Sequence, residues 1–236
     1  LPEPEAIVDW LEAKMCSTNE LEGTTILVTA GGTQESIDPV RYIGNRSSGK
    51  MGYAIAEQAA HMGAKVILVS APTSLPIPSG VDFISVDSAV SMQEAVEARY
   101  NDVNVVIMAA AVSDFRVLHK AEQKIKKMES MTIELVKNPD ILQGLGSKKS
   151  HQILVGFAAE TEHVIKYGQD KVAKKNLDML VANDVSKSNA GFNVDTNEGY
   201  FLYPDKEPKE MPNMKKSDLA RHILREVIDL VANKHS

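Results

Sequence analysis

The chain has 236 residues, 43% of them hydrophobic and 25% charged, enough to bury a sizeable core as one large α/β domain. A formal net charge of -6 argues against a protein that coats nucleic acid, which needs a basic face to release counterions, so any anion site must be local. Cys16 is the one cysteine and the six histidines form no zinc-type pair, which excludes a disulfide framework or a cysteine-built metal site within the chain.

Residues 1–22, opening LPEPEAIVDWLEAKM, read as a linker and a proline-punctuated short helix with Ile7, Trp10 and Leu11 on one face. A start at Leu1 rather than Met is expected of the carboxyl-terminal part of something longer, and equally of a processed start. No apolar run approaches membrane-spanning length and no signal peptide opens the sequence, so a reducing, cytoplasmic setting without a membrane partner is expected.

From residue 23 a single α/β domain is expected. Residues 26–30 form a short apolar run closed by Gly31 and Gly32, the pattern of a buried parallel strand ending in a tight turn. After a polar loop, Ser47, Ser48 and Gly49 precede Met51, Ala54, Ile55, Ala59 and Met62, whose spacing predicts a helix with hydroxyl caps. A helix start facing a strand end is a site for phosphate or carboxylate, and Asn45 and Arg46 stand just before it. Gly44 to Lys50 has phosphate-loop spacing, but Met51 replaces the magnesium-holding hydroxyl. No G-x-G-x-x-G follows the strand, so the dinucleotide fingerprint is absent from its usual place.

Residues 65–71 predict a second buried strand, 83–86 a short third, and 91–100 a helix with Ala95 and Val96 inward and Glu94, Glu97 and Arg99 outward. Residues 103–112 predict the next central strand, closed by Ser113 and Asp114. Ligands of open α/β sheets sit at the carboxyl ends of strands, so this end and the Gly31 end should border one cleft. The backbone of Ala109, Ala110 and Ala111 could read the edge of a base, with Asp114 on a ribose hydroxyl or a metal-bound phosphate. Helix packing by the alanines and capping by Asp114 explain them equally well.

Residues 115–130 lose the apolar period and carry Lys120, Lys124, Lys126 and Lys127, either solvated lysines or a basic closing lid. A strand over 132–136 leads to a turn in which Pro139 enters the first helical turn. Buried strands are expected at 153–159 and 179–182. Tyr167 and Lys171 have the Y-x-x-x-K spacing of short-chain dehydrogenases, without the glycine-rich turn that would go with it. Residues 191–203 read as a β-hairpin turning at Asn197, Glu198 and Gly199, an extension of about 190–204. Residues 217–231 predict an amphipathic helix capped by Ser217, with Leu219, Ile223, Val227 and Leu230 inward.

Several separated motifs agree with one family. AGGTQESIDPVRYIGNRSSGKMG, AAAVSDFR, the KIKK run, VKNPDI, GFAAET, the lysine-rich segment into KKNLD, and VANDVS together resemble bacterial phosphopantothenoylcysteine synthetase, commonly the carboxyl-terminal half of a bifunctional coenzyme A biosynthesis protein. The resemblance runs from about residue 26 to the end. It implies a Rossmann-like, mostly parallel sheet flanked by helices, with the hairpin as a dimerisation extension. It further implies a ligase that activates 4'-phosphopantothenate with CTP and Mg2+ as an acyl cytidylate, releasing pyrophosphate, before the amine of L-cysteine displaces CMP.

By the same resemblance Asn45 positions the intermediate and Lys124 is the lid lysine. Met108, Ala109, Ala110 and Ala111 hold the base, Asp114 meets ribose and metal, and Phe157 packs on the nucleotide. Lys171 and Lys175 contact the triphosphate, and Pro139, Asp140 and Ile141 line the site. From their place at the helix start rather than from the resemblance, Ser47, Ser48 and Gly49, with Asn45, are expected at the phosphate of phosphopantothenate. The accompanying amino-terminal decarboxylase would carry the flavin, so none is expected in this domain. Rival readings are an NAD(P)-dependent oxidoreductase on the same fold and a nucleotide-binding module without turnover.

Overall fold

The structure, a computed structural model, describes residues 18–160, 162–184 and 196–234. The expected amino-terminal helix with Ile7, Trp10 and Leu11, Cys16, and the first part of the expected hairpin at 191–195 lie outside them.

Near-continuous apolar runs build a sheet whose central strands are buried on both faces. The parallel strands are β1 (Thr25–Ala30), β4 (Lys65–Ser70), β5 (Val81–Ser85), β6 (Val105–Met108), β9 (Ile153–Glu160) and β10 (Met179–Asp184). Beyond β10 lie β11 (Thr196–Leu202) and β12 (Lys209–Lys215), each antiparallel to its neighbour. The order is β12-β11-β10-β9-β6-β1-β4-β5. Its parallel part is the doubly wound Rossmann order, which reverses direction between β1 and β6.

Ile26 and Val28 of β1 face α1 (Lys50–His61) and α5 (Lys216–Lys234), packing with Ile55, Ala56, Leu219, Ile223 and Val227. Leu27 faces the opposite layer, where α2 (Ala89–Glu97), α3 (Ile141–Lys148) and α4 (Val164–Lys174) contribute Met92, Val96, Leu145 and Val172. Each fully buried aliphatic side chain contributes about 1.5–3 kcal/mol, so the two layers supply most of the driving force. Two small ribbons stand off the sheet: β2 (Gln34–Ser36) pairs with β3 (Tyr42–Gly44), and β7 (Phe115–Val117) with β8 (Leu135–Lys137).

Five local expectations are corrected. The helix after the polar loop has no hydroxyl cap: Gly49, at φ 76°, occupies the cap position and no side chain bonds there. The strand expected over 103–112 ends at Met108, because the alanines bend toward β1. The strand expected at 132–136 lies at Leu135–Lys137 and pairs with β7, a local ribbon the charged sequence conceals. No turn forms at Asn197, Glu198 and Gly199, which run through β11. The hairpin turns after Tyr203 and extends to Lys215, since polar alternation suits an outer sheet strand as well as a turn. The last helix starts at Lys216, so Ser217 lies within its first turn.

Gly52 lets α1 sit directly on the end of β1. A Cβ there would lie 2.6 Å from the Ala30 Cβ and 2.8 Å from the Thr29 carbonyl oxygen. Gly52→Val gains helix propensity of a few tenths of a kcal/mol, but overpacking against backbone costs about 1–3 kcal/mol. Urea denaturation should show a net loss of about 2 kcal/mol with an unchanged m-value.

Candidate functional site

The cleft begins where β1 and β6 part. Gly31, at φ 79°, turns the chain beside Ala71, whose carbonyl oxygen would lie 2.7 Å from a Cβ. Gly32 and Ala111 form a parallel bridge: the Ala111 N–H donates to the Gly31 oxygen at 2.8 Å, and the Thr33 N–H to the Ala111 oxygen at 3.3 Å. Gly32 also has no room for a Cβ, which would lie 2.7 Å from the Asn45 carbonyl oxygen, so the loop carrying Asn45 folds back over this bridge. Asn45 Nδ2 then donates to the Val112 carbonyl at 3.1 Å. That bond aims an exposed amide across the mouth of the cleft.

The first turn of α1 forms one wall. With Gly49 as cap, the helix start turns its amides and positive dipole end toward the cleft. The Gly49 N–H donates to Ser47 Oγ at 3.3 Å, which folds the entry loop tightly. A cavity of about 350 Å³ results, walled by Asn45, Ser47, Ser48 and Gly49, by Ala109, Ala110, Ala111 and Asp114, and by Phe157 and Lys171. A second lobe of about 320 Å³ shares Ala110, Asp114 and Phe157 and adds Met108, Pro139, Asp140, Ile141 and Lys175. The two lobes form one cleft at the sheet's switch point.

In the second lobe Asp140 is the cap of α3, accepting the Gln143 N–H at 3.0 Å, so Pro139 precedes the helix rather than entering its first turn. Lys175 Nζ bridges both Asp140 oxygens, at 3.0 and 2.9 Å. Burial works to raise the Asp140 carboxyl, but the Gln143 N–H and Lys175 outweigh it and hold it below its usual value. Lys171 and Lys175, four apart near the end of α4, serve different lobes.

The sequence-derived picture changes in two respects. The alanine N–H groups are already used: Ala109 bonds the Ile107 oxygen at 3.2 Å, Ala110 the Thr29 Oγ1 at 3.1 Å, and Ala111 the Gly31 oxygen. These N–H groups are therefore not available to a ligand in the cleft. Lys124 lines neither lobe; it is exposed on the loop between β7 and β8.

Residues that sequence reasoning passed over also line the cleft, namely Asn183, Asn197 and Lys216 in the first lobe and Asn138 in the second. Asn183, the penultimate residue of β10, accepts from Asn197 Nδ2 at 3.3 Å. Its position at a parallel strand's carboxyl end was a usable signal. Buried Asn138 donates to the Ser113 carbonyl at 2.8 Å, holding the strand end against the turn before α3. Among the described residues no group of three His, Cys, Asp or Glu side chains could hold a metal ion, and no helix is long and apolar enough to cross a membrane. Any divalent ion would depend on phosphate oxygens, with the exposed Asp114 carboxylate at the junction of the lobes as protein ligand.

Outside the cleft, an open cavity of about 740 Å³ lies on the far side of the 45–48 loop, bordered by Thr33, Tyr42, Arg46 and Thr73. Below it, the turn before β3 holds Asp38, whose side chain is fully buried and bonds Arg41 Nε at 3.0 Å and its terminal nitrogen at 2.5 Å. The Arg41 guanidinium, helped by the Val40, Ile125 and Arg41 N–H groups against burial, holds the Asp38 carboxyl well below the usual carboxylate range. Stabilisation from this group is present above the ordinary value of about 4 and is lost as pH falls through the lowered folded value.

The sequence from 21 to 231 matches the family model described as DNA/pantothenate metabolism flavoprotein C-terminal domain. The Coenzyme A biosynthesis bifunctional protein CoaBC of Bacillus subtilis is 47% identical over 234 residues, 98% of this chain and 58% of that protein. Its Escherichia coli K12 namesake is 45% identical over 231 residues, 96% of this chain and 57% of that protein. The chain thus spans somewhat over half the length of these relatives. A crystal structure of the C-terminal domain of CoaBC superposes with a TM-score of 0.80 at 44% identity, covering 92% of this chain and 100% of that one. The chain belongs to the DNA/pantothenate metabolism flavoprotein C-terminal domain family, as the counterpart of the C-terminal domain of the bifunctional CoaBC proteins.

Proposed function

We propose that this domain is the ligase of coenzyme A biosynthesis that joins 4'-phosphopantothenate to L-cysteine through a CTP-derived acyl cytidylate. The observation that carries this reading is the convergence of Asn45, the 108–114 segment, Lys171 and Lys175 on one cleft. The phosphopantothenate carboxylate attacks the α-phosphorus of CTP and expels pyrophosphate. The cysteine amine then attacks the acyl carbon, loses a proton and expels CMP. An unactivated carboxylate would resist the second attack, so the energy of the nucleotide is spent on making a leaving group.

The cleft divides this work. Met108, Ala109, Ala110 and Ala111 bound the base pocket, with Phe157 against its face and Pro139, Asp140 and Ile141 closing the second lobe. Lys171 and Lys175 offset phosphate charge; Lys175 can exchange Asp140 for a phosphate oxygen. Ser47, Ser48 and Gly49 at the start of α1 receive the phosphate of phosphopantothenate. Asn45, fixed through Val112, hydrogen-bonds the acyl or phosphoryl oxygens during attack by cysteine. Mg2+, carried by the nucleotide phosphates and met by Asp114, would neutralise charge developing on them. Lys124 approaches from the lid loop.

The remaining partners follow from the same reading: an amino-terminal flavin-dependent decarboxylase in the same polypeptide, a cytoplasmic setting, and a second copy of the chain. For that copy the edge strand β12 is a poor seam, since Lys209, Glu210, Pro212 and Lys215 interrupt pairing. The small ribbons offer a better one. Tyr42 on β3 is 55% exposed, Phe115 on β7 50% and Leu135 on β8 43%, apolar surface beside the cleft that a homodimer would cover.

With phosphopantothenate, cysteine, Mg2+ and CTP, wild-type protein should release CMP and pyrophosphate, and ATP should replace CTP poorly. Asn45→Asp should still release pyrophosphate while acyl cytidylate accumulates, with amide formation slowed about a hundredfold. Unchanged amide formation in that variant removes the role given to Asn45. Lys124→Gln should slow pyrophosphate release itself. Tyr42→Glu combined with Phe115→Glu should move the protein from dimer to monomer in sedimentation equilibrium; an unaltered mass shows that the seam lies elsewhere.

A further inference from the structure

The loop between β7 and β8 is tied to the turn before β3. Buried Asp38 accepts the N–H groups of Val40 at 2.8 Å and Arg41 at 2.9 Å on one oxygen. Its other oxygen takes the Arg41 guanidinium and, 87 residues along the chain, the Ile125 N–H at 3.1 Å. The same guanidinium donates to the Ile125 carbonyl at 3.2 Å, and the Ala121 N–H donates to the Ile37 carbonyl at 2.9 Å. These three bonds across the gap bracket Lys124. The turn they reach runs through β3 directly into Asn45. One fully buried carboxylate thus joins the two segments to which opposite halves of the reaction are assigned.

We infer that Asp38 is a positioning residue that fixes the backbone carrying Lys124 relative to Asn45, so that the lid lysine reaches the cleft from a set point. This rests on the proposed ligase reading for its catalytic consequence, but not for the latch itself. An ammonium on a flexible four-carbon stem is guided only as well as its Cα is held. An anchor at residues 121 and 125 supplies that hold, and the segment beyond Ile125 can move without displacing it. Removing the negative charge leaves the Arg41 guanidinium and the Ile125 N–H sharing an acceptor that no longer suits both.

The test compares Asp38→Asn with Glu35→Gln. Glu35 is a second buried carboxylate on the same ribbon, but the N–H it accepts, at 2.9 Å, is that of Ala89 rather than one from the lid loop. Brief trypsin digestion read by mass spectrometry should show cleavage after Lys124, Lys126 and Lys127 rising about tenfold in Asp38→Asn and not in Glu35→Gln, relative to cleavage elsewhere. Pyrophosphate release from CTP and phosphopantothenate should fall at least about tenfold in kcat, with a smaller change in KM for CTP. Equal cleavage in both variants overturns the latch whatever the wild-type activity. Faster cleavage with unchanged pyrophosphate release overturns the positioning role. Faster cleavage in a protein whose wild type releases no pyrophosphate leaves the latch standing and removes the ligase reading instead.

Discussion

The arrangement depends on a short stretch of parallel pairing past the ends of two strands. Gly31 and Ala111 bond to each other after β1 and β6 have formally finished, and the chains can then only diverge. One goes to α1 on one face of the sheet, the other to α3 on the opposite face. A crevice at that point is a topological necessity, since nothing covers the ends of strands whose helices leave in opposite directions. Glycine at 31 makes the pairing possible, because its left-handed backbone and the neighbouring Ala71 carbonyl leave no space for a side chain.

The cationic and dipolar groups of the cleft wall are assembled locally within an acidic chain. A partly exposed pair such as Asp140 and Lys175 contributes roughly 0–1 kcal/mol to stability, so its main effect is to hold a cation in place in the cleft wall. The start of α1 adds amide dipoles that need no counter-charge. Lys216 places another cation in the wall from the end of β12, although it is largely buried. Fixed dipoles and held cations favour charge developing on a transferring group because they need little reorganisation when it appears.

The two ribbons are held to each other beside the site. β2 and β3 lead into the Asn45 loop, β7 and β8 carry the lysine-bearing loop, and Asp38 binds one to the other. Tyr42, Phe115 and Leu135 on these ribbons leave exposed aromatic and aliphatic surface, the kind of patch that marks an interaction site.

By itself the sequence determined the α/β class with a mostly parallel sheet, most core strands, the amphipathic faces of α1 and α5 and, through motifs spread along the chain, the family. Those features are written in local periodicity or in residue identity at short spacing, as in 26–30 or Met51 to Met62. Tertiary structure alone decided that Gly49 rather than a serine starts α1, that the alanine N–H groups are spent inside the protein, that the hairpin turns after Tyr203, and that Lys124 stands outside the cleft. It also revealed Asn183, Asn197 and Lys216 as wall residues and Asp38 as a bond between positions 87 residues apart. Each of these is a question of which distant partner takes a given donor or surface, and no local pattern carries that information until the chain has closed on itself.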